Sequence, residues 1–122
     1  MIDRLVETVN GKASLVHRGR YLTTRFLVEL GPEAYLVDVV QGRIAAVTSG
    51  PFVMPSWSFA LRAPKEAWEQ FFQPVPPPGY QDLFGLLKQR LLRIEGDLQP
   101  LMANLRYIKE AFASLRPLEA KP

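Results

Sequence analysis

The sequence predicts an α+β fold, with a five-stranded, largely antiparallel sheet and helices packed mainly on one of its faces. The hydrophobic residues follow helical spacing near the start, alternate from Tyr21 onward, and return to helical spacing after Pro64. Turn residues at positions 31–33 and 41–42 divide the alternating part into three strands, which form an antiparallel meander. Two further short strands complete the predicted sheet, which must bury one apolar face against the helices.

One domain is predicted, covering residues 1–116, with a disordered tail at residues 117–122. A chain of 122 residues with 48% hydrophobic and 22% charged residues has the size and composition of one globular core. The tail has no apolar residues spaced to form a buried face, so we expect it to fray.

The first half of the chain supplies two short helices and the meander. Apolar residues at helical spacing predict helices over residues 2–9 and 13–18, each ending at a glycine. The alternation that follows predicts three strands, at residues 21–30, 34–40 and 43–48.

The next segment predicts a fourth strand at residues 56–62, with Trp57, Phe59 and Leu61 on its inner face. Pro64 suits the first turn of a helix, and the residues after it are apolar along one helical side. Four prolines among residues 73–79 predict a stiff polyproline II loop, because proline fixes φ and cannot continue a helix.

The last part predicts a helix over residues 80–87, a strand over residues 91–95, and a terminal helix capped by Asp97. The terminal helix has the longest apolar stripe in the chain, formed by Leu101, Leu105, Ile108, Phe112 and Leu115. Because this stripe lies beside the end of the predicted domain, we expect the helix to close an apolar cavity as a lid.

Two stretches resemble the sterol carrier protein 2 family. Residues 58–68, SFALRAPKEAW, are similar to that family's strand followed by a helix that begins with an acidic residue and a tryptophan. Residues 92–97, LRIEGD, are similar to its late pattern of strand, glycine, aspartate and helix. The resemblance covers about residues 20–115, but residues 73–79 lie where typical members are shorter, and residues 52–57 are unusually apolar.

The resemblance implies an apolar tunnel between sheet and helices, without catalytic residues, metal or cofactor. We therefore expect non-enzymatic binding or transfer of a hydrophobic, lipid-like ligand such as a sterol, a fatty acyl chain or an isoprenoid. A hydroxyl such as that of Tyr35 or Ser58 either fixes the ligand's head group or faces solvent. The residues expected to line the cavity are Phe26, Trp57, Phe59, Phe71, Phe84, Leu101, Leu105, Ile108 and Phe112.

Other chemical functions lack their usual sequence signals. The chain has no cysteine and a single histidine, His17, so it lacks the residues of a typical zinc site. No nucleophile elbow surrounds Ser49, and no glycine-rich phosphate loop occurs. The net charge of +3 comes with a small basic cluster that lacks interleaved exposed aromatic residues, so we expect no nucleic-acid partner. The cluster consists of Lys12, Arg18, Arg20 and Arg25.

The alternative hypothesis is a protein–protein interaction or dimerisation module without a ligand, accessory to a larger enzyme. In that case residues 52–57 and the proline-rich loop form an exposed apolar patch that binds a second copy of the chain or a larger enzyme. Charged residues near the N-terminus interrupt any signal-peptide core, and no apolar run is long enough to span a bilayer. We therefore expect a cytoplasmic protein without stable membrane insertion.

Overall fold

The computed structural model describes residues 2–117, and this part of the chain forms one five-stranded mixed sheet with strand order β3-β2-β1-β4-β5. Neighbouring strands are antiparallel except β1 and β4, which are parallel. The α+β class and the largely antiparallel sheet are confirmed, whereas the predicted tail lies outside the described residues except for Pro117. The strands are β1 Thr24–Leu30, β2 Glu33–Val40, β3 Arg43–Ser49, β4 Phe59–Ala63 and β5 Arg93–Gly96.

The helices are short, and several bounds differ from the predicted ones. A 3-10 turn at Ile2–Arg4 leads into the first helix. The fourth helix begins three residues later than predicted, because the Asp82 carboxylate accepts a hydrogen bond from the Gly85 N–H at 2.9 Å and so caps its N-terminus. The α-helices are α1 Leu5–Asn10, α2 Ala13–Arg18, α3 Lys65–Phe71, α4 Leu83–Lys88, α5 Gln99–Ala103 and α6 Leu105–Ala113.

The terminal helix, predicted as one element, is divided into α5 and α6 at Asn104. This residue has φ −126° and ψ 31°, outside the helical range, and its side-chain amide donates to the Pro100 carbonyl at 3.1 Å. An asparagine side chain that bonds nearby backbone competes with continued helix, which explains the break. The predicted N-cap is displaced by one residue, because Leu98 holds the N-cap position of α5 and Asp97 precedes it. The Asp97 carboxylate still accepts a hydrogen bond from the Gln99 N–H at 3.1 Å.

The principal core lies between one sheet face and the helices. The strands contribute alternate residues such as Phe26, Val28 and Leu61, and the α6 segment contributes Ile108 and Phe112, all of them buried. This alternation agrees with the predicted period of two in the meander. Removing these side chains from water is the main force holding sheet and helices together.

The opposite sheet face carries a smaller apolar cluster of Leu27, Leu36 and Ala60. The connection between β3 and β4 covers it, with Phe52 and Trp57 packed against it. This corrects the expectation that Trp57 shares an inner face with Phe59. The alternation does not extend back to Trp57 because β4 begins only at Phe59.

A glycine makes room for the Trp57 ring on that face. A Cβ atom at Gly96 would lie 2.9 Å from the ring carbon Cζ3 and 2.5 Å from the Ser58 carbonyl oxygen. Gly96 also has φ +93°, a conformation that residues with a side chain rarely adopt. The glycine of the LRIEGD stretch is therefore required both by backbone conformation and by the approach of Trp57.

Three long-range hydrogen bonds, made by two side chains, hold the helices to the β3 side of the sheet. The Asn10 carboxamide both donates to and accepts from the backbone of Ile44 on the edge strand β3, at 3.0 and 2.8 Å. The buried Tyr107 hydroxyl donates to the Gly42 carbonyl at 2.6 Å, at the turn between β2 and β3. Both ends of the described chain are therefore attached to the same side of the sheet.

Candidate functional site

An open groove of about 450 Å³ lies where α3 meets the end of β1 and the start of the proline-rich loop. Its polar and charged lining comes from Glu33, Lys65, Glu69 and Gln73. Its apolar walls are formed by Leu30, Trp68, Phe72, Pro74 and Pro117.

Aromatic rings lead from this groove into the principal core. Trp68 stacks on Phe72 at the groove and on Phe112 beneath it, with ring centroids 5.7 and 5.6 Å apart. Phe112 contacts Phe26 at 6.2 Å, and Phe26 stacks on Phe59 at 5.0 Å. We call these five rings the aromatic chain. It forms a continuous apolar path from the groove to the centre of the sheet.

The position of α3 fixes the outer end of the aromatic chain. The Trp68 indole N–H donates to the Glu29 carbonyl of β1 at 2.8 Å, which attaches the ring to the sheet. The Arg116 guanidinium donates from Nε to the Phe71 carbonyl at 2.7 Å, and from Nη2 to the Gln81 carbonyl at 2.7 Å. Arg116, which follows α6, is therefore bound to the end of α3, beside the groove.

The structure brings together most of the residues expected to line a cavity. Leu105 is half-buried and packs against the principal core from its margin. Buried within that core are Phe26, Phe59, Phe71, Leu101, Ile108 and Phe112.

Two expected residues lie apart from this group. Trp57 packs on the opposite sheet face, and Phe84 is half-buried at the surface with the Lys109 ammonium 4.7 Å above its ring. The cavity itself stays a prediction, because ring-to-ring contacts occupy the space between Phe59, Phe112 and Trp68 in this structure.

The groove residues Leu30 and Pro74 were absent from the expected lining. Trp68 and Phe72 were recognisable as the apolar side of the predicted helix after Pro64. Their position at an opening was not recognisable from the sequence, because the groove is formed by β1, α3 and residues distant in sequence. A pattern along one helix indicates which side is buried, but not where that side meets solvent.

The charged groups lie outside the principal core. In the described part of the chain, no charged residue and no polar one other than tyrosine is buried. On the opposite sheet face, Arg62 forms ion pairs with Glu29 and Glu95, and Arg93 also pairs with Glu95. The hydrogen bond from Arg62, with the charges of both arginines, lowers the pKa of Glu95 below its ordinary value of 4.5.

Of the residues considered for other chemistry, Tyr35 and Ser49 are paired across β2 and β3 and line one small open pocket, whereas His17 and Ser58 do not line it. His17 is exposed, and the Ser58 hydroxyl accepts a hydrogen bond from Thr24 at 2.8 Å. Tyr35 donates to Glu33 at 2.8 Å, and this hydrogen bond raises the pKa of the Tyr35 hydroxyl. Residues 2–117 contain no group of three histidine or acidic side chains placed to hold a metal ion, and no helix of membrane-spanning length.

By sequence, the chain matches no protein-family model and no curated protein. By structure, it is similar to the crystal structure of sterol carrier protein 2, with a TM-score of 0.76 at 12% identity over 97% of this chain and 95% of that chain. A Thermus thermophilus protein described as possibly a sterol carrier protein gives 0.66 at 11% identity, covering 98% and 88% of the two chains. The ubiquinone synthesis protein UbiJ-SCP2 gives 0.58 at 14% identity and covers 88% of each chain.

These similarities extend over nearly the whole chain, so they describe the entire domain rather than a shared motif. The class is a small α+β domain with one mixed sheet and helices on its principal face. The particular fold is that of sterol carrier protein 2, and the resemblance drawn from residues 58–68 and 92–97 is confirmed at the level of the fold.

Proposed function

We propose that this protein binds and carries a hydrophobic, lipid-like molecule, such as a sterol, a fatty acyl chain or an isoprenoid, without transforming it. The observation that carries the proposal is the aromatic chain, which joins an open apolar groove to the centre of the principal core. The ligand's tail enters at Phe72 and Trp68 and lies along the path that the rings now fill.

The chemistry of the path supports an apolar ligand. Each methylene removed from water contributes about 0.8 kcal/mol, so a long chain gains enough to displace ring-to-ring contacts. The buried rings offer dispersion contacts and no charged group, which suits a hydrocarbon tail. The polar and charged groups at the groove are available for a head group that stays in water.

Entry of a tail requires the helices to separate from the sheet, and α5 and α6 are the elements we propose to move. They are short, they are divided at Asn104, and they follow the last strand of the sheet. A displacement of this pair leaves the pairing between the strands intact. It costs packing contacts and the hydrogen bond from Tyr107 to the Gly42 carbonyl. The predicted lid is thus retained as a proposal for α5 and α6 together.

A matched pair of substitutions near the end of α3 tests the groove. Gln73 lines the groove, whereas Gln70 lies three residues earlier and faces another surface, beside Tyr80 and Leu91. Both are exposed and neutral, so Gln73→Trp and Gln70→Trp add the same bulk without removing a core contact. The assay is saturable binding of a fluorescent NBD-labelled acyl chain, with native mass spectrometry of the purified protein to detect lipid carried through extraction.

We expect Gln73→Trp to weaken probe binding at least 10-fold, while Gln70→Trp leaves it unchanged. Equal effects of the two variants would place the ligand elsewhere and overturn the groove as the entry. No saturable binding in the unmodified protein, together with no co-purified lipid, would refute carriage altogether. In that case an oligomer or a co-purified protein in the mass spectrum would favour the interaction-module alternative.

A further inference from the structure

We infer that the groove selects lipids whose head group donates a hydrogen bond and carries no negative charge, such as long-chain or isoprenoid alcohols, over lipids with an anionic head group. This inference rests on the proposed function, because it concerns the same groove. It adds a discrimination among lipids that the fold alone does not provide.

The charges around the groove carry the inference. Two carboxylates, of Glu33 and Glu69, and one ammonium, of Lys65, line it, so the lining has a net charge of −1. This is opposite in sign to the chain as a whole, whose net charge is +3. An anionic head group is thus attracted to other surfaces of the protein more than to the groove.

Hydrogen-bond chemistry points in the same direction. Ionised carboxylates are acceptors only, so Glu33 and Glu69 can bind a head group that has an O–H or N–H donor. An alcohol donates such a hydrogen to a carboxylate in a charge-assisted bond, whereas a fatty acid anion has no hydrogen to donate. Tyr35 already donates to one oxygen of Glu33, at 2.8 Å, which leaves that carboxylate's other oxygen for a ligand.

The lysine does not reverse this preference. Within residues 2–117 the Lys65 ammonium forms no ion pair, so it is the one group of the lining that attracts an anion. It is outnumbered by two carboxylates, and all three groups are exposed. Exposed charges interact weakly in water, so we expect a selectivity of about 5-fold, not an absolute exclusion.

The experiment compares three ligands with the same C16 tail, hexadecanol, palmitate and hexadecylamine, delivered from cyclodextrin. A Trp57→Phe background leaves Trp68, which lines the groove, as the single tryptophan of the chain and hence the fluorescent reporter. At about pH 8 palmitate is ionised and hexadecylamine is protonated. We expect hexadecanol and hexadecylamine to bind about 5-fold more tightly than palmitate, with the difference shrinking at high salt.

The variant Glu33→Gln/Glu69→Gln removes both carboxylates, and we expect it to bind palmitate several-fold more tightly while hexadecanol gains nothing. Glu66→Gln is the matched control, because Glu66 lies on α3 but lines a different surface. Palmitate binding as tightly as hexadecanol, or a control that acts like the double variant, would overturn the head-group inference and leave the carrier proposal standing. Failure of all three ligands to bind would instead refute the carrier proposal itself.

Discussion

Replacement of Phe112 by alanine tests whether the aromatic chain is a packed part of the core. The Phe112 side chain is fully buried and contacts the rings of both Phe26 and Trp68. Burial of a phenylalanine contributes about 1.5–3 kcal/mol, and an aromatic pair adds about 0.5–1.5 kcal/mol. Together with the cavity left behind, Phe112→Ala should lower the free energy of unfolding by about 3–5 kcal/mol.

Urea unfolding followed by circular dichroism measures this loss. Tyr21→Ala is the control, because it also truncates an aromatic residue but at an exposed position, and it should cost less than about 1 kcal/mol. Since a loss of 3–5 kcal/mol approaches the whole stability of many small domains, Phe112→Leu provides a milder variant with an expected loss of about 1 kcal/mol. A loss below 1 kcal/mol for Phe112→Ala would refute the packing of the aromatic chain described above.

Three further predictions concern pH and the backbone. Burial raises the pKa of the Tyr107 hydroxyl to about 12 from its ordinary value of 10.0, so stability present below pH 10 should be lost as the pH rises toward 12. In pH-dependent urea titrations Tyr107→Phe should reduce this loss, with the raised pKa of Tyr35 accounting for part of what remains. The hydrogen bond from Arg62 lowers the pKa of Glu95, so the stabilisation that this carboxylate provides is present above pH 4.5 and lost as the pH falls through the lower pKa of the folded state. In the same titrations the Glu95→Gln variant should be less stable than the unmodified protein at pH 7, and its stability should depend less on acid. Gly96→Ala should cost about 2–3 kcal/mol by thermal and urea unfolding, because φ is +93° and its Cβ would lie 2.5 Å from the Ser58 carbonyl; an unchanged stability would contradict that geometry.

The parts of the fold that the sequence predicted are those governed by local periodicity and turn chemistry. The alternation around Phe26 and Val28 correctly predicted a strand with one face in the core, because the period of two is a direct consequence of strand geometry. It did not predict that Leu27, on the other face, is buried as well. Gly96 correctly predicted the end of a strand, because its positive φ requires glycine. Asp97 was expected at the N-cap but lies one residue before it, where its carboxylate accepts from the Gln99 N–H.

The errors arose where contacts between distant residues decide the outcome. Trp57 continues the alternation of β4 in sequence, yet its ring packs on the sheet face opposite the principal core, where the missing side chain of Gly96 leaves room for it. The break at Asn104 interrupts a stripe whose spacing is continuous, because the side chain bonds the backbone of Pro100. The spacing of apolar residues predicts neither the position of the Trp57 ring nor the helix break at Asn104.

The candidate site was predicted only in its interior. Residues such as Phe59 and Ile108 belong to any core, and their burial follows from their apolar patterns. The groove depends on where the end of β1 meets α3 and Pro74, which brings together residues more than 40 positions apart. Openings of this kind result from the packing of whole elements, so single-sequence reasoning does not locate them.

The Asn10 carboxamide has a consequence for the protein at high concentration. Edge strands present unpaired backbone groups that another chain can use to extend the sheet, which is a common route to aggregation. The Asn10 side chain occupies both the N–H and the carbonyl of Ile44, so it imitates one residue of a sixth strand. A foreign strand aligned with β3 meets that amide before it can pair along the whole strand, so the Asn10 side chain hinders extension of the sheet at the β3 edge.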